Sequence, residues 1–333
     1  MSRLFSIIIP VYNRPNEVDE LVQSLAAQEG DANFELIIVE DGSTLPSKEV
    51  VEPYLNQINI RYFQRPNGGR SRARNYGMEQ AKGDYFLFFD SDCIIPPRYF
   101  TELEKNLEVN YSDCFGGPDA ANDSFTGVQK AINYAMTSFL TTGGIRGSGE
   151  KFDKFKPRTF NMGFSRKVYD TVGGFRDMYA EDIDLVYRIQ NAGFDIKLYQ
   201  SVFVYHKRRV SFKKFFKQVY TFGFARINLS MIYKGTLKLV HTLPAFFLLG
   251  CVTLAILSIL ISPYFLTPIA LYTLILLIDA LVKTKKPGIA LMALAAAFIQ
   301  LFGYGWGFIR AFVEKVIFRR GLESSETVIK KFK

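Results

Sequence analysis

Apolar residues fall into two patterns that divide this chain. Up to about residue 205 they come in short runs separated by polar and glycine-rich segments, and beyond about residue 239 they come in long tracts almost free of charge. Phe5 to Pro10, Phe34 to Val39 and Tyr85 to Phe89 are short runs without polar alternation, the pattern of strands buried on both faces of a parallel sheet. Between the first two, Glu17 to Gln28 has the apolar spacing of an amphipathic helix, so the chain opens with a predicted βαβ unit and an α/β fold class. Ligands of open α/β sheets bind outside the carboxyl ends of the strands. Three predicted strands end there in chemistry-bearing residues: Val11-Tyr12-Asn13-Arg14-Pro15, Glu40-Asp41-Gly42-Ser43-Thr44 and Asp90-Ser91-Asp92.

The apolar tracts predict a second part of different physics. Leu239 to Ser262 carries no formal charge, Tyr264 to Val282 carries only Asp279, and Pro287 to Ile309 carries none. Each is long enough to cross a hydrocarbon core of about 30 Å as a helix. At 333 residues the chain also exceeds the roughly 250 to 300 residues that one core usually serves. The predicted division is a catalytic domain over 1–210, a basic amphipathic helix over 211–238, a transmembrane region over 239–309 (239–262, 264–282 and 287–309) and a basic tail over 310–333.

Charge sharpens that division. No acidic residue lies between Asp195 and Asp279, and nine Lys or Arg residues from Lys207 to Lys238 equal in number the formal net charge of +9. Such a cluster beside an apolar span suits anionic lipid headgroups, at about 1 kcal/mol per basic residue near the surface; nucleic acid is not expected as a partner. The positive-inside rule places Lys207 to Lys238 and Lys283 to Lys286 in the cytosol, on either side of an out-and-back hairpin. A full third crossing would put Arg310, Lys315, Arg319 and Arg320 outside, against that rule, and Gly303, Gly305 and Gly307 allow a close helix contact, a break or a re-entrant path. The first apolar run is too short for a signal peptide and ends at Pro10. The expected location is therefore the cytoplasmic membrane, multi-pass, with the catalytic part facing the cytosol. Cys93, Cys114 and Cys251 lack paired metal-ligand spacing and read as free thiols.

Asp90 and Asp92 are hard oxygen donors at a strand edge, which suits Mg²⁺ or Mn²⁺ shared with substrate phosphates. Asn67-Gly68-Gly69 leads into a helix with Arg70, Arg72 and Arg74, where cations and amide groups can face a diphosphate. Arg70 and Arg74 lie at i and i+4 and share a face, whereas Arg72 points elsewhere. With two histidines in the chain and no nucleophile-elbow motif, a Ser-His-Asp hydrolase is unsupported.

The segments SIIIPVYNR, VEDGS, NGGRSRARNYG and FFDSD, followed by Asn161-Met162-Gly163-Phe164, Val172-Gly173-Gly174-Phe175, Glu181-Asp182-Ile183-Asp184-Leu185 and His206, resemble the inverting family 2 glycosyltransferases over about the first 210 residues. The resemblance implies a GT-A fold, a nucleotide-sugar-binding domain on a mixed, mainly parallel sheet, followed here by an all-α transmembrane region. It implies a nucleotide-sugar donor, first of all a uridine diphosphate sugar, held at Pro10, Tyr12, Arg14, Asp41, Asp90 and Ser91. It further implies Asp92 as main metal ligand with Asp90 and His206 beside it, Asp182 as catalytic base, and Glu181 and Asn161 on the acceptor side or orienting the base. Many members carry an aspartate where this chain has Glu40, whose role is left open.

The expected reaction moves one sugar to a glycan acceptor, polyprenyl-linked and used in surface polysaccharide assembly. A polyprenyl-phosphate glycosyl synthase is the alternative, and a non-catalytic nucleotide-binding membrane scaffold is the alternative of another class. The Gln-x-x-Arg-Trp motif of processive synthases is missing. Thr141 to Gly149 reads as a mobile lid. Phe212, Phe215, Phe216, Val219 and Phe222, alongside Lys213, Lys214 and Lys217, read as a helix lying in the membrane interface. Asp184 and Arg188 read as an i, i+4 ion pair.

Overall fold

The structure is a computed structural model that describes residues 3–120, 125–143, 155–207 and 211–321. It forms two compact units, residues 3–120 with 155–207 and residues 125–143 with 211–321. The domain expected over 1–210 is thus interrupted, because residues 125–143 group with the apolar helices.

The first unit begins with β1 (Phe5–Val11), α1 (Pro15–Ala26), β2 (Phe34–Asp41), α2 (Lys48–Val51), β3 (Ile60–Arg65), α3 (Arg70–Gln80), β4 (Tyr85–Phe88), β5 (Cys93–Ile94), α4 (Tyr99–Val109), β6 (Cys114–Gly116) and β7 (Asp119–Ala120). After α5 (Gly127–Thr137) and α6 (Phe139–Thr142) the chain resumes this unit with β8 (Met162–Ser165), α7 (Arg166–Val172), α8 (Glu181–Asn191), β9 (Ile196–Leu198) and β10 (Val204–His206). The main sheet has the order β3-β2-β1-β4-β8-β6-β9, parallel except where β8 runs against β4 and β6.

Both faces of β1 are filled, which is why its sequence lacks polar alternation. Phe5, Ile7, Ile9 and Val11 join the core with Val18, Leu21, Leu25 and Leu103, while Ile8 packs with Ile37, Val39, Ala73 and Met78 on the other face. The one polar group on that face, Ser6, donates to buried Glu35 at 2.7 Å, and Glu35 also accepts from Lys82 N–H at 2.6 Å and Arg61 Nη1 at 3.3 Å. A three-stranded sheet, β5-β10-β7, pairs His206 opposite Cys93. It fixes the end of the unit against the loop after β4.

The second unit adds α9 (Phe212–Ile232), α10 (Leu243–Leu260), α11 (Thr267–Thr284) and α12 (Pro287–Ala311), the last running on into a π-helical turn at Phe312–Ile317. Among the described residues, three helices are long and apolar enough to cross a membrane: Leu243–Leu260, Pro263–Thr284 and Pro287–Ile317. The first starts later than expected because Leu239–His241 forms a 3₁₀ turn. The glycines of the third make helix contacts rather than a break. A Cβ at Gly307 would lie 2.1 Å from the Tyr220 carbonyl oxygen of α9, one at Gly303 would lie 2.7 Å from Val219, and one at Gly305 would lie 2.4 Å from the Pro244 carbonyl oxygen of α10.

The apolar stripe of α9, expected to lie in the membrane interface, packs on protein except at Phe216, which is exposed. Phe215 and Val219 are buried with Ala293 and Ala296 of α12 and Ala131 and Ala135 of α5, and Phe212 and Phe222 pack on the same cluster. Asp279 of α11 accepts from Tyr134 Oη at 2.6 Å, Ser138 Oγ at 3.2 Å and Lys283 Nζ at 3.0 Å, which clamps α5 to that helix. Of the predicted lid, Thr141 and Thr142 close α6 and Gly143 caps it in the left-handed region, while residues 144–149 lie outside the described residues.

Candidate active site

The first two loops are stitched together before they can offer anything to a ligand. Asn13, at φ 54°, donates its backbone N–H to Ser43 Oγ at 2.8 Å and accepts at Oδ1 from Thr44 N–H at 2.8 Å and Leu45 N–H at 2.9 Å. Glu40, whose role the sequence left open, is buried and accepts from Ser43 Oγ and from Ser47 N–H at 2.8 Å and Oγ at 2.5 Å. It shapes the loop. Asp41 accepts from Gly68 N–H at 2.9 Å and Gly69 N–H at 2.7 Å, so it holds the glycine turn that opens α3. Gly42 must be glycine: its φ is 73° and a Cβ would lie 2.5 Å from Asn67 N. Tyr12 remains exposed at the mouth of these loops, Pro10 is half-buried and Ser91 is buried.

At the end of β4, Asp90 and Asp92 meet His206, brought in by β10. His206 Nε2 lies 3.2 Å from Asp92 Oδ1 and 4.0 Å from Asp90 Oδ2, and Lys207 N–H donates to the Asp92 carbonyl at 3.0 Å. The imidazole stacks on Phe160 with ring centroids 4.9 Å apart, and its buried Nδ1 has no hydrogen-bond partner among the described residues. Cys93 Sγ is also near, within 4.8 Å of Asp92 and His206 ligand atoms. Burial pushes this thiol well above its ordinary range and the Asp92 and Asp90 charges add to the shift. Two carboxylates and an imidazole nitrogen fit a divalent cation of the Mn²⁺ or Mg²⁺ kind, whereas the soft sulfur of a cysteine does not. Arg14 Nη1 lies 3.2 Å from the other Asp92 oxygen.

Arg70 and Arg74 share a face as their spacing requires, and they turn that face to Glu181. Arg70 Nε and Nη2 lie 2.7 and 2.9 Å from its two oxygens, and Arg74 Nη1 lies 3.0 Å from Oε1. Arg74 then reaches Asp90 Oδ1 at 2.9 Å and Thr159 Oγ1 at 3.0 Å through Nη2. At 1% exposure, Arg74 is a bridge between the acidic pair and α8 rather than a hand held out to a diphosphate. Glu181, at 2% exposure with both oxygens taken, does not face an acceptor either. Asn161 is equally enclosed. It accepts from Tyr99 Oη at 2.7 Å, donates to the Val202 carbonyl at 2.8 Å and is 1% exposed, which makes it a brace for the segment leading to β10.

Asp182 follows Ala180, which sits in the left-handed region at φ 59° and turns the chain into α8. Its Oδ1 accepts from Ile183 N–H at 2.8 Å and its Oδ2 from Arg158 Nη1 at 3.3 Å. Burial opposes its charge, but Arg158, Arg70 and the Ile183 N–H outweigh that and hold the carboxyl below the usual aspartate range. Asp184 pairs with Arg188 at 3.0 Å and with Arg176 at 3.2 Å. Sequence reasoning missed Arg158 and Thr159, and it placed Asn13 in the first loop without a role. No spacing or motif marks Arg158, whose significance comes only from the fold.

A doubly covered, mainly parallel sheet with an acidic pair at the edge of its fourth strand defines the GT-A class. The model of Glycosyl transferase family 2 matches residues 6–176, half of the sequence, and the chain belongs to that family; the model of Glycosyl transferase family 21 matches residues 156–324. Among curated proteins, the poly(ribitol-phosphate) beta-N-acetylglucosaminyltransferase TarS of Staphylococcus aureus is 35% identical over 112 residues, 33% of this chain and 20% of TarS. The glycosyltransferase GlyG of Streptococcus pneumoniae is 34% identical over 115 residues, 34% of this chain and 38% of GlyG. The chain thus spans well under half the length of these relatives. Among solved structures, the mannosyltransferase PcManGT of Pyrobaculum calidifontis in complex with GDP-Man and Mn²⁺ has a TM-score of 0.57 at 16% identity, over 96% of this chain and 88% of that one. Residues 1–349 of S. aureus TarS give 0.50 at 18% identity, over 92% and 91%. These are likenesses of fold.

Proposed function

We propose that the chain is a membrane-associated, metal-dependent inverting glycosyltransferase that moves one sugar from a nucleoside diphosphate sugar to a glycan acceptor. The observation that carries this reading is the bridge Asp90–Arg74–Glu181, which ties the acidic pair at the edge of β4 to the residue next to Asp182. An inverting transfer needs an electrophilic site for the departing diphosphate and a base on the opposite side of the sugar. Asp90, Asp92 and His206 would hold a divalent cation, which when bound neutralises the leaving diphosphate. Asp182 takes the proton of the acceptor hydroxyl as its oxygen bonds to the anomeric carbon and the bond to the diphosphate breaks. Tyr12 and Arg14 face the donor at the mouth of the loops, and Asp41 sets the glycine turn beneath it.

PcManGT, described with GDP-Man and Mn²⁺, supports the donor class and the metal. The three apolar helices found among the described residues, two of them almost uncovered by protein, and the basic stretch before them support a lipid-linked acceptor at the cytoplasmic face of the cytoplasmic membrane. The test is a panel of UDP-, GDP- and dTDP-sugars offered to the detergent-purified protein with Mn²⁺ or Mg²⁺, reading nucleoside diphosphate release. Turnover of one donor that stops on chelation is expected; release that ignores EDTA would contradict the metal assignment.

A further inference from the structure

Arg158 has no part in the reaction above, yet its only side-chain partner among the described residues is Asp182. The pair is lopsided in exposure. The Arg158 backbone is fixed, its carbonyl accepting from Asn161 N–H at 2.9 Å and the next residue, Thr159, held by Arg74. Its side chain is one-third exposed. The other arginines of the site make more than one contact each: Arg70 with both oxygens of Glu181, Arg74 with Glu181 and Asp90, and Arg14 with Asp92 and, at 3.6 Å, Glu17. Arg158 is therefore the site arginine whose single bond, at 3.3 Å, is long for a charge-assisted one. While that bond lasts, Asp182 is a weak base, because its charge is already answered.

We propose, resting on the transferase reading, that Arg158 receives a phosphate ester carried by the acceptor, and that this exchange releases Asp182 to act as base. A phosphate offers paired oxygens to the guanidinium fork and more negative charge than one carboxylate, so it competes well for the same donors. The freed carboxylate then accepts the acceptor's hydroxyl proton, the hydroxyl oxygen bonds to the anomeric carbon, and the bonding pair of the sugar–diphosphate link leaves on the diphosphate oxygen. Without a phosphate-bearing acceptor the base stays masked, which protects the donor from water. The phosphate belongs to the acceptor class as a lipid phosphate or as a polyol phosphate.

The experiment follows nucleoside diphosphate release by the full chain in detergent, with the donor it turns over, excess Mn²⁺, and glycerol 3-phosphate, farnesyl phosphate or plain glycerol. In the wild type, a phosphate ester should raise release roughly three- to tenfold, as expected when a base regains up to about one pKa unit of strength, and glycerol should not. A response to farnesyl phosphate alone assigns a lipid phosphate; a response to both esters assigns the phosphate group itself. Arg158→Ala should show the raised rate without any ester and no further response. An Arg158→Ala enzyme with wild-type basal release and wild-type response overturns the inference, as does equal stimulation by glycerol. If Arg158→Ala does not bind donor by calorimetry, Arg158→Lys decides: a weakened response supports the exchange and an unchanged one overturns it. A wild type inert toward every donor refutes the proposed function, and this inference with it; normal turnover with an indifferent Arg158 refutes this inference alone.

Discussion

Arg74 shows how one side chain can tie a site together. Its fork spans Glu181, Asp90 and Thr159, a task that the single ammonium of lysine cannot perform. Arg74→Lys should therefore weaken apparent Mn²⁺ affinity by about 10- to 100-fold, the usual effect of losing a group that orients a metal ligand. A Mn²⁺ titration of donor binding checks this, and an unchanged midpoint would contradict the bridge. Glu35 offers a test by acid. Burial raises its pKa, but the Lys82 N–H, Ser6 and Arg61 outweigh it, so the folded value lies below the unfolded one near 4.5. A lowered folded pKa means stability present above 4.5 and lost as pH falls through the folded value. Glu35→Gln should cost about 1–3 kcal/mol near pH 7, and thermal melts should show the gap from wild type closing as pH drops below 4.5. At this scale the sequence made the i, i+4 pairings legible, Arg70 with Arg74 and Asp184 with Arg188, because helical geometry alone sets them. It left Arg158, the partners of Glu181 and the bracing of Asn161 hidden, because those bonds join residues 24 to 111 positions apart.

The strands were legible for a related reason. Both faces of β1, β2 and β4 are buried, so each is an unbroken apolar run whose length and flanking turns mark it. Helix α9 was legible as an apolar face on a basic helix, but periodicity does not say what covers such a face, and α12 covers it here rather than lipid. Helix α5 has mixed composition, so nothing in it announced that it packs with the apolar helices. Close approach of α9 and α12 rests on paired glycines: a Cβ at Gly223 would lie 2.1 Å from the Tyr304 carbonyl oxygen, as one at Gly307 would from that of Tyr220. Gly307→Val should destabilise this unit by about 1–3 kcal/mol through overpacking. Gly250→Ala in α10, where nothing lies within 4 Å, serves as the control and should melt no lower than wild type. Equal melting of Gly307→Val and Gly250→Ala in detergent would refute the close contact.

The whole molecule joins an α/β unit to a helical unit that takes one of its segments from the middle of the catalytic sequence. In α10 only Ala245 is buried, and in α11 only Leu276 and Ala280, so these helices offer their apolar surface outward. The protein should stay in the membrane pellet through carbonate extraction; release into the supernatant would contradict membrane insertion. Cutting the chain after about residue 235 would strip α12 from Phe215, Val219, Ala131 and Ala135, so such a truncation should aggregate rather than behave as a free catalytic domain. In the proposed reaction the acidic pair with His206 holds the donor's cation while Asp182 moves the acceptor's proton. The most direct test of this reaction is donor-binding calorimetry with Mn²⁺, paired with nucleoside diphosphate release, on Asp92→Ala and Asp182→Asn. Asp92→Ala should lose metal-dependent donor binding, and Asp182→Asn should bind donor as the wild type does yet turn over at least about 10²-fold more slowly, the scale of general-base catalysis. Wild-type binding by Asp92→Ala, or wild-type turnover by Asp182→Asn, would contradict the account.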